Sequence, residues 1–113
     1  MLIKVDAAFE LVLGIVLLVS AATGALAGSD FPRPVGTAVL VIAGLALVAL
    51  GGLIWSGRLG LRVLALGNGV TAAAGFVWLL LAEGWSTAGA VLVAVTVAVL
   101  AGLAVAQAAT LRA

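Results

Sequence analysis

Four long apolar runs, separated by short polar segments, organise this chain. Residues 11–29, 34–57, 63–82 and 84–111 contain no charged side chain, and these runs are 19, 24, 20 and 28 residues long. A helix that crosses the hydrocarbon core of a bilayer needs about 20 apolar residues. The pattern therefore predicts an all-α fold, an integral membrane four-helix bundle with up-down-up-down topology and short loops.

The connections between the runs predict where each helix begins and ends. Pro32 and Pro34 break the chain after the first helix. Gly57 favours left-handed backbone after the second helix, and Ser86 is placed to cap the fourth. Short connections make neighbouring helices antiparallel. We expect one transmembrane domain, residues 1–113, with helices at about 7–27, 35–55, 62–82 and 87–108.

The first run also permits a second interpretation, a cleaved signal peptide. Ala25-Leu26-Ala27 resembles the small-residue cleavage site that follows the apolar part of such a peptide. Asp6 and Glu10 oppose this interpretation, because a signal peptide begins with a positively charged region. We therefore interpret the run as a membrane span.

Positive residues are distributed unequally between the two ends of the predicted bundle. Lys4, Arg58, Arg62 and Arg112 fall on the side of both termini, and Arg33 falls on the other side. Short loops rich in Lys and Arg stay on the cytoplasmic side of a membrane, so we expect both termini in the cytoplasm. Arg outnumbers Lys four to one, a usage that suggests a bacterial chain, and the expected location is the bacterial plasma membrane.

Composition excludes several classes of function. Hydrophobic residues make up 66% of the chain and charged residues 8%, whereas about 25% of an ordinary soluble domain is charged. The net charge of +1 provides no basic surface for nucleic acid. Cys, His and Tyr are absent, which removes the usual zinc ligands and a histidine base. We expect no metal, no cofactor and no enzymatic activity.

Small residues repeat every four positions in the predicted helices and indicate close helix packing. Lipid is as apolar as leucine, so helices in a bilayer associate through close backbone approach and a few polar contacts. The ladders are Ala90, Ala94, Ala98, Gly102 and Ala106 in the fourth helix, and Ala65-Gly69-Ala73 and Gly67-Thr71-Gly75 in the third. Each ladder can serve packing within the bundle or a seam with another chain. Besides membrane lipids, the expected partner is a second copy or a larger membrane protein.

Glu10 is the first candidate for a functional side chain. Asp6 precedes it by one helical turn, so both carboxylates share a helix face, and Gly14 continues the same stripe. The small residue predicts that this stripe faces another helix. A carboxylate inside a span marks a functional site and can exchange a proton with a cationic substrate. Alternatively, Glu10 is an anchor at the membrane surface, with Lys4 or Arg62 as its counter-charge.

Asn68 is the second candidate and lies inside the third apolar run. Gly67 and Gly69 flank it and weaken the helix, so loosened backbone there could expose carbonyl groups to an ion or polar ligand. Alternatively, the Asn68 amide forms a hydrogen bond across a tightly packed patch, with Glu10 as a possible partner. Three further residues share the face of Asn68 and, with the Glu10 stripe, would line a polar cavity: Thr71, Gly75 and Trp78.

Two functions fit these features. The first, which we favour from the sequence, is a non-enzymatic accessory or structural subunit that binds other membrane helices through its small-residue faces. The second is a small proton- or ion-coupled transporter or channel with Glu10 and Asn68 near the pathway. In size, in four spans and in the acid of its first helix, the chain resembles the small multidrug resistance exporters, although Glu10 lies nearer the membrane edge than their acid. A DoxX-like four-span layout fits equally.

Overall fold

The described part of the chain consists of helices joined by short connections. The computed structural model describes residues 2–25, 30–32 and 37–112. Four α-helices lie within these ranges: α1 at Leu2–Thr23, α2 at Thr37–Trp55, α3 at Leu61–Leu81 and α4 at Thr87–Arg112. The all-α fold that the apolar runs predict is confirmed.

Three of these helices are long and apolar enough to cross a membrane. They are Ala38–Trp55, Leu61–Leu81 and Thr87–Leu111. Their outward faces are rich in large apolar side chains that the described protein leaves uncovered. They identify a membrane-embedded protein. The remaining helix, α1, carries Lys4, Asp6 and Glu10 and is not one of these three.

Turn residues end or begin the helices where the sequence predicts them to. Gly57 follows α2 with a φ of +79°, the left-handed conformation that glycine adopts at little cost. Ser86 caps α4, because its Oγ accepts a hydrogen bond of 3.0 Å from the Gly89 N–H. Gly24, which follows α1, also has a positive φ, +77°.

The bounds of two helices differ from those expected. α1 begins at Leu2 instead of near residue 7 and ends at Thr23, and α4 continues to Arg112 instead of ending near residue 108. The expected bounds were placed where the apolar runs begin and end. A helix can continue beyond an apolar run, because its backbone hydrogen bonds also form through polar residues. The expected end of the first helix near residue 27, Pro34 and the expected start of the second helix near residue 35 lie outside the described residues, whereas Pro32 is described and buried.

The helices are arranged as two hairpins, α1 with α2 and α3 with α4, and α1 also touches α4. Glycines allow the close approach within the first hairpin. A Cβ atom added to Gly14 would lie 2.8 Å from the carbonyl oxygen of Gly44, and one added to Gly51 would lie 2.7 Å from Cγ of Leu11. The Gly14 stripe thus faces another helix, as the sequence predicts, while the two glycines of α2 belong to no ladder that we identified.

The second hairpin uses two of the predicted small residues. A Cβ on Gly75 would lie 2.8 Å from Cγ2 of Val97, and one on Gly69 would lie 3.8 Å from Cβ of Ala104. Both glycines therefore face α4. A Cβ on Gly67 would have no neighbouring atom within 4 Å.

The ladder of α4 points mostly away from α3. Ala94, Ala98 and Gly102 are exposed, and Ala90 and Ala106 are half-buried. An added Cβ on Gly102 would meet no atom within 4 Å. The α4 residues that meet the glycines of α3 are Val93, Val97 and Ala104. None of them belongs to the ladder, so the ladder is not the seam between these two helices.

We predict that Gly14→Ala destabilises the first hairpin. The new methyl group would collide with backbone of α2, and overpacking of this kind costs about 1–3 kcal/mol. Gly102→Ala is the matched control, because the same change meets open space and should stabilise the helix by about 0.5–1 kcal/mol. Unfolding of the two purified variants in detergent micelles measures the difference, and equal stabilities would contradict the described seam.

Candidate functional site

Three side chains from three helices form a buried polar cluster. Asp6 of α1 accepts two hydrogen bonds at the same oxygen, Oδ2. One comes from Nδ2 of Asn68 in α3, at 2.7 Å, and one from Nε2 of Gln107 in α4, at 2.8 Å. Asn68 Nδ2 also donates to Oε1 of Gln107, at 3.0 Å. We call Asp6, Asn68 and Gln107 the polar cluster.

Burial makes these hydrogen bonds energetically important. Asp6 and Gln107 are 0% exposed and Asn68 is 7% exposed. A hydrogen bond to a charged group contributes about 1.5–3 kcal/mol, and a buried polar group that loses its partner costs a similar amount. The polar cluster therefore joins α1 to the second hairpin through bonds that lipid cannot replace. The second carboxylate oxygen of Asp6, Oδ1, is buried and has no hydrogen-bond partner within the described residues.

Glu10 lies one helical turn beyond Asp6 and is only 5% exposed. It makes no hydrogen bond and no ion pair with any side chain that the structure describes. Lys4, one of the two possible counter-charges, does not pair with Glu10, because Lys4 Nζ donates to the carbonyl oxygen of Trp55, at 2.8 Å, and lies 4.1 Å from the centre of the Trp55 ring. Arg62 is exposed. Glu10 is thus a buried carboxylate without a partner among the described residues.

A cavity of about 790 Å³ lies between the two hairpins. Glu10 and Asn68 contribute polar atoms to its wall, and nearly all other lining side chains are apolar. α2 and α3 both contribute to the wall but are not packed against each other along their length. The cavity is therefore open on the side between α2 and α3, where the outer surface of the bundle is apolar.

An aromatic cluster closes the other end of the cavity. Phe31 stacks on Trp78 with ring centres 6.4 Å apart, and Trp85 packs edge-on against Trp78 at 4.5 Å. Asp30 fixes this corner, because its carbonyl oxygen accepts from the Ser86 N–H at 3.1 Å and its Oδ1 accepts from the Ser86 hydroxyl at 2.6 Å. The first connection is thereby tied to the start of α4.

The structure brings most of the candidate site residues of the sequence to this cavity. Glu10, Asn68, Thr71 and Trp78 all line it, as do Gly67 and Gly75. Asp6 does not line the cavity and lies behind Glu10 in the polar cluster. Asn68 bonds across to other helices, as in the second alternative, but its partners are Asp6 and Gln107 and not Glu10.

Gln107 is the residue that the sequence analysis missed. It is the single Gln of the chain, as Asn68 is the single Asn, and it lies near the end of an apolar run. An amide in such a run needs a partner, because an unsatisfied polar group is costly in lipid. The sequence did contain a signal for this cluster: two amides, each the single one of its kind, and one carboxylate occur in three different apolar helices.

Comparison of the chain with models of protein families, with curated protein sequences and with solved structures finds no match.

We predict that Gln107→Leu destabilises the bundle by about 1–3 kcal/mol, because Asp6 loses one of its two donors and Asn68 loses an acceptor. Thr110→Val is the control in the same helix, since the Thr110 hydroxyl bonds only the Ala106 carbonyl one turn earlier. That change should stay within about 0.5 kcal/mol. Unfolding in detergent measures both variants, and a Gln107→Leu protein as stable as the control would contradict the polar cluster.

Proposed function

We propose that the protein is a small, non-enzymatic, ion-coupled membrane transporter whose pathway is the cavity between the two hairpins. The observation that carries the proposal is Glu10, a carboxylate that is almost fully buried, has no partner within the described residues and lines an apolar cavity. Ionisable groups inside membrane helices are costly and mark ion or substrate pathways. The cavity supports the transporter, which the sequence offers as the alternative to an accessory subunit.

The size and composition of the cavity support a ligand site. Cavities that hold small molecules measure about 300–1,000 Å³ and combine apolar walls with a few polar groups, and this cavity falls within that range. Glu10 and Asn68 are grouped at one end, and Thr71 lies one turn from Asn68. A ligand can therefore place an apolar body among the aliphatic side chains and a polar group at Glu10.

The opening between α2 and α3 supports access from the membrane. Val39 and Leu50 of α2 and Val63 of α3 line the cavity and are also substantially exposed. An apolar molecule dissolved in the bilayer could enter between these helices without crossing a polar surface.

The transport hypothesis includes four membrane crossings, with α1 as the first. α1 has 22 residues and is about 33 Å long at 1.5 Å per residue, enough for a hydrocarbon core about 30 Å thick. Lys4, Arg58, Arg62 and Arg112 then lie on the cytoplasmic side of a bacterial plasma membrane, following the bias of positive loops. The polar cluster lies near that side, and the aromatic cluster lies near the other.

An accessory or structural subunit is the second candidate function. Its support is the ladder of α4, because Ala94, Ala98 and Gly102 are exposed and leave open space where another helix could approach closely. A subunit of this kind would bind a second copy or a larger membrane protein through α4. It would not need a pathway for ions through the cavity.

We predict that Glu10→Gln abolishes ion flux in reconstituted vesicles, because it removes the charge from the cavity while keeping the shape of the side chain. Uptake of ²²Na⁺ and entry of protons, reported by a pH-sensitive dye inside the vesicles, are measured under an inside-negative potassium diffusion potential. Wild-type protein should exceed protein-free vesicles in at least one of the two measurements. Glu83→Gln is the matched control, since it removes the same charge from an exposed residue between α3 and α4.

Flux that survives Glu10→Gln, or that never exceeds protein-free vesicles, would refute the transport hypothesis. If the protein then co-purifies with another membrane protein and Ala98→Leu disrupts that association, the subunit hypothesis takes its place.

We also predict a specific pattern of labelling for the four crossings. The chain has no Cys, so single cysteines are unique targets for a membrane-impermeant maleimide. Ala25→Cys should react from outside intact cells, whereas Leu2→Cys and Arg58→Cys should react only after permeabilisation. Equal reaction of Leu2→Cys and Ala25→Cys in intact cells would contradict a crossing by α1.

A further inference from the structure

We propose that Asp6 and Glu10 bind one small monovalent cation, for which Na⁺ is the probe, at the junction of the polar cluster and the cavity. The inference deepens the proposed function by naming the coupling ion, and it rests on that function only for the use of the ion in transport. Binding itself follows from the side chains that meet at this junction.

Uncompensated negative charge is the first argument. Asp6 and Glu10 are one turn apart on the same helix face, and both are at least 95% buried. No Lys or Arg side chain that the structure describes pairs with either of them. Lys4 is bonded at Trp55, and Arg58 and Arg62 are exposed. Two carboxylates that are buried together repel each other and lose their hydration, so a bound cation or a proton must offset their charge.

The distribution of hydrogen-bond donors is the second argument. Both amide groups of the polar cluster direct an N–H to Oδ2 of Asp6, and neither reaches Oδ1. Glu10 receives no donor from the described residues. The groups left without a partner are therefore carboxylate oxygens, which only accept hydrogen bonds when ionised. A cation satisfies several such oxygens at once, whereas an anion satisfies none.

The chemistry of the ligands limits the kind of cation. The site offers oxygen atoms alone, and the chain has no Cys and no His, so metals that prefer sulfur or nitrogen are excluded. Within the described residues, no group of three or more acidic, His or Cys side chains gathers at one place. Ca²⁺ takes six to eight oxygen ligands, and one oxygen of Asp6 is already occupied by two amides. The site has few free oxygens, and a proton shared by the two carboxylates would leave one negative charge, so the site suits a cation of single charge.

The arrangement also gives the cation a route. Glu10 lines the cavity, and Asp6 lies behind it without lining the cavity. An ion in the cavity thus meets Glu10 first, and Asp6 lies one helical turn further along the same face. Asn68 contributes to both the cavity wall and the polar cluster. A bound ion would therefore change the hydrogen bonds that connect α1 to α3 and α4.

Thermal unfolding of the full chain in detergent tests the proposal. Midpoints are compared in NaCl and in choline chloride of equal ionic strength, which separates Na⁺ binding from a general salt effect. Saturating Na⁺ should raise the midpoint by about 5 °C, the size expected for a ligand well above its dissociation constant. Glu10→Gln and Asp6→Asn should each remove this rise, and Glu83→Gln should retain it.

Equal midpoints of the wild-type protein in the two salts would overturn the proposal. So would a midpoint that depends on pH but not on Na⁺, because the carboxylates would then hold a proton. If Asp6→Asn does not fold, Glu10→Gln decides alone, since Glu10 makes no hydrogen bond whose loss would unfold the bundle. A Na⁺-dependent rise that persists in Glu10→Gln also overturns the proposal.

The outcome is independent of the flux experiment. Na⁺ binding without any Glu10-dependent flux would refute transport and leave the cation site intact. Glu10-dependent flux without Na⁺ binding would refute the cation site and leave the transporter standing.

Discussion

The carboxylate of Asp6, held by two amides, is the interaction on which the arrangement of the two hairpins depends. Within a bilayer, burial of apolar surface does not draw helices together, so packing and polar contacts must. Each hairpin is held by the close packing of glycines, but the hairpins touch each other much less. Asp6 supplies the side-chain hydrogen bonds that join α1 to α3 and α4 among the described residues. The polar cluster therefore sets the distance between the hairpins at the end that carries both termini.

The cavity follows from this arrangement. At one end the hairpins are joined by the polar cluster, beside a core of Ala7, Ile54 and Leu64. At the other end they are joined by the aromatic cluster and by the bonds between Asp30 and Ser86. Between these two connections α2 and α3 do not pack together, and the space that remains is the cavity. The polar cluster and the aromatic cluster thus both join the two hairpins and form the two ends of the cavity.

The sequence predicts the fold better than the site, and the reason is physical. Charge spacing and turn residues such as Gly57 and Ser86 are local, so they locate helices without knowledge of tertiary structure. The partners of Asn68 are 62 and 39 residues away along the chain, and which residues meet depends on the register between helices. The same holds for Lys4 and Trp55, which belong to different helices. Periodicity places Glu10 and Asp6 on one face, but it does not say that Gln107 completes the cluster.

The composition of α1 is explained by the site that it carries. Its charged residues lower the average hydropathy of the helix, yet Asp6 and Glu10 are covered by protein. Its exposed face carries Val12, Ile15 and Val19, which suit lipid, and Lys4 lies near the end, where a long side chain reaches the membrane surface. An average over the whole helix combines the two faces, although protein covers only one of them. Asp6 and Glu10, the acidic residues of α1, are thus the ones that the other helices bury, as expected for side chains that are costly to expose to lipid.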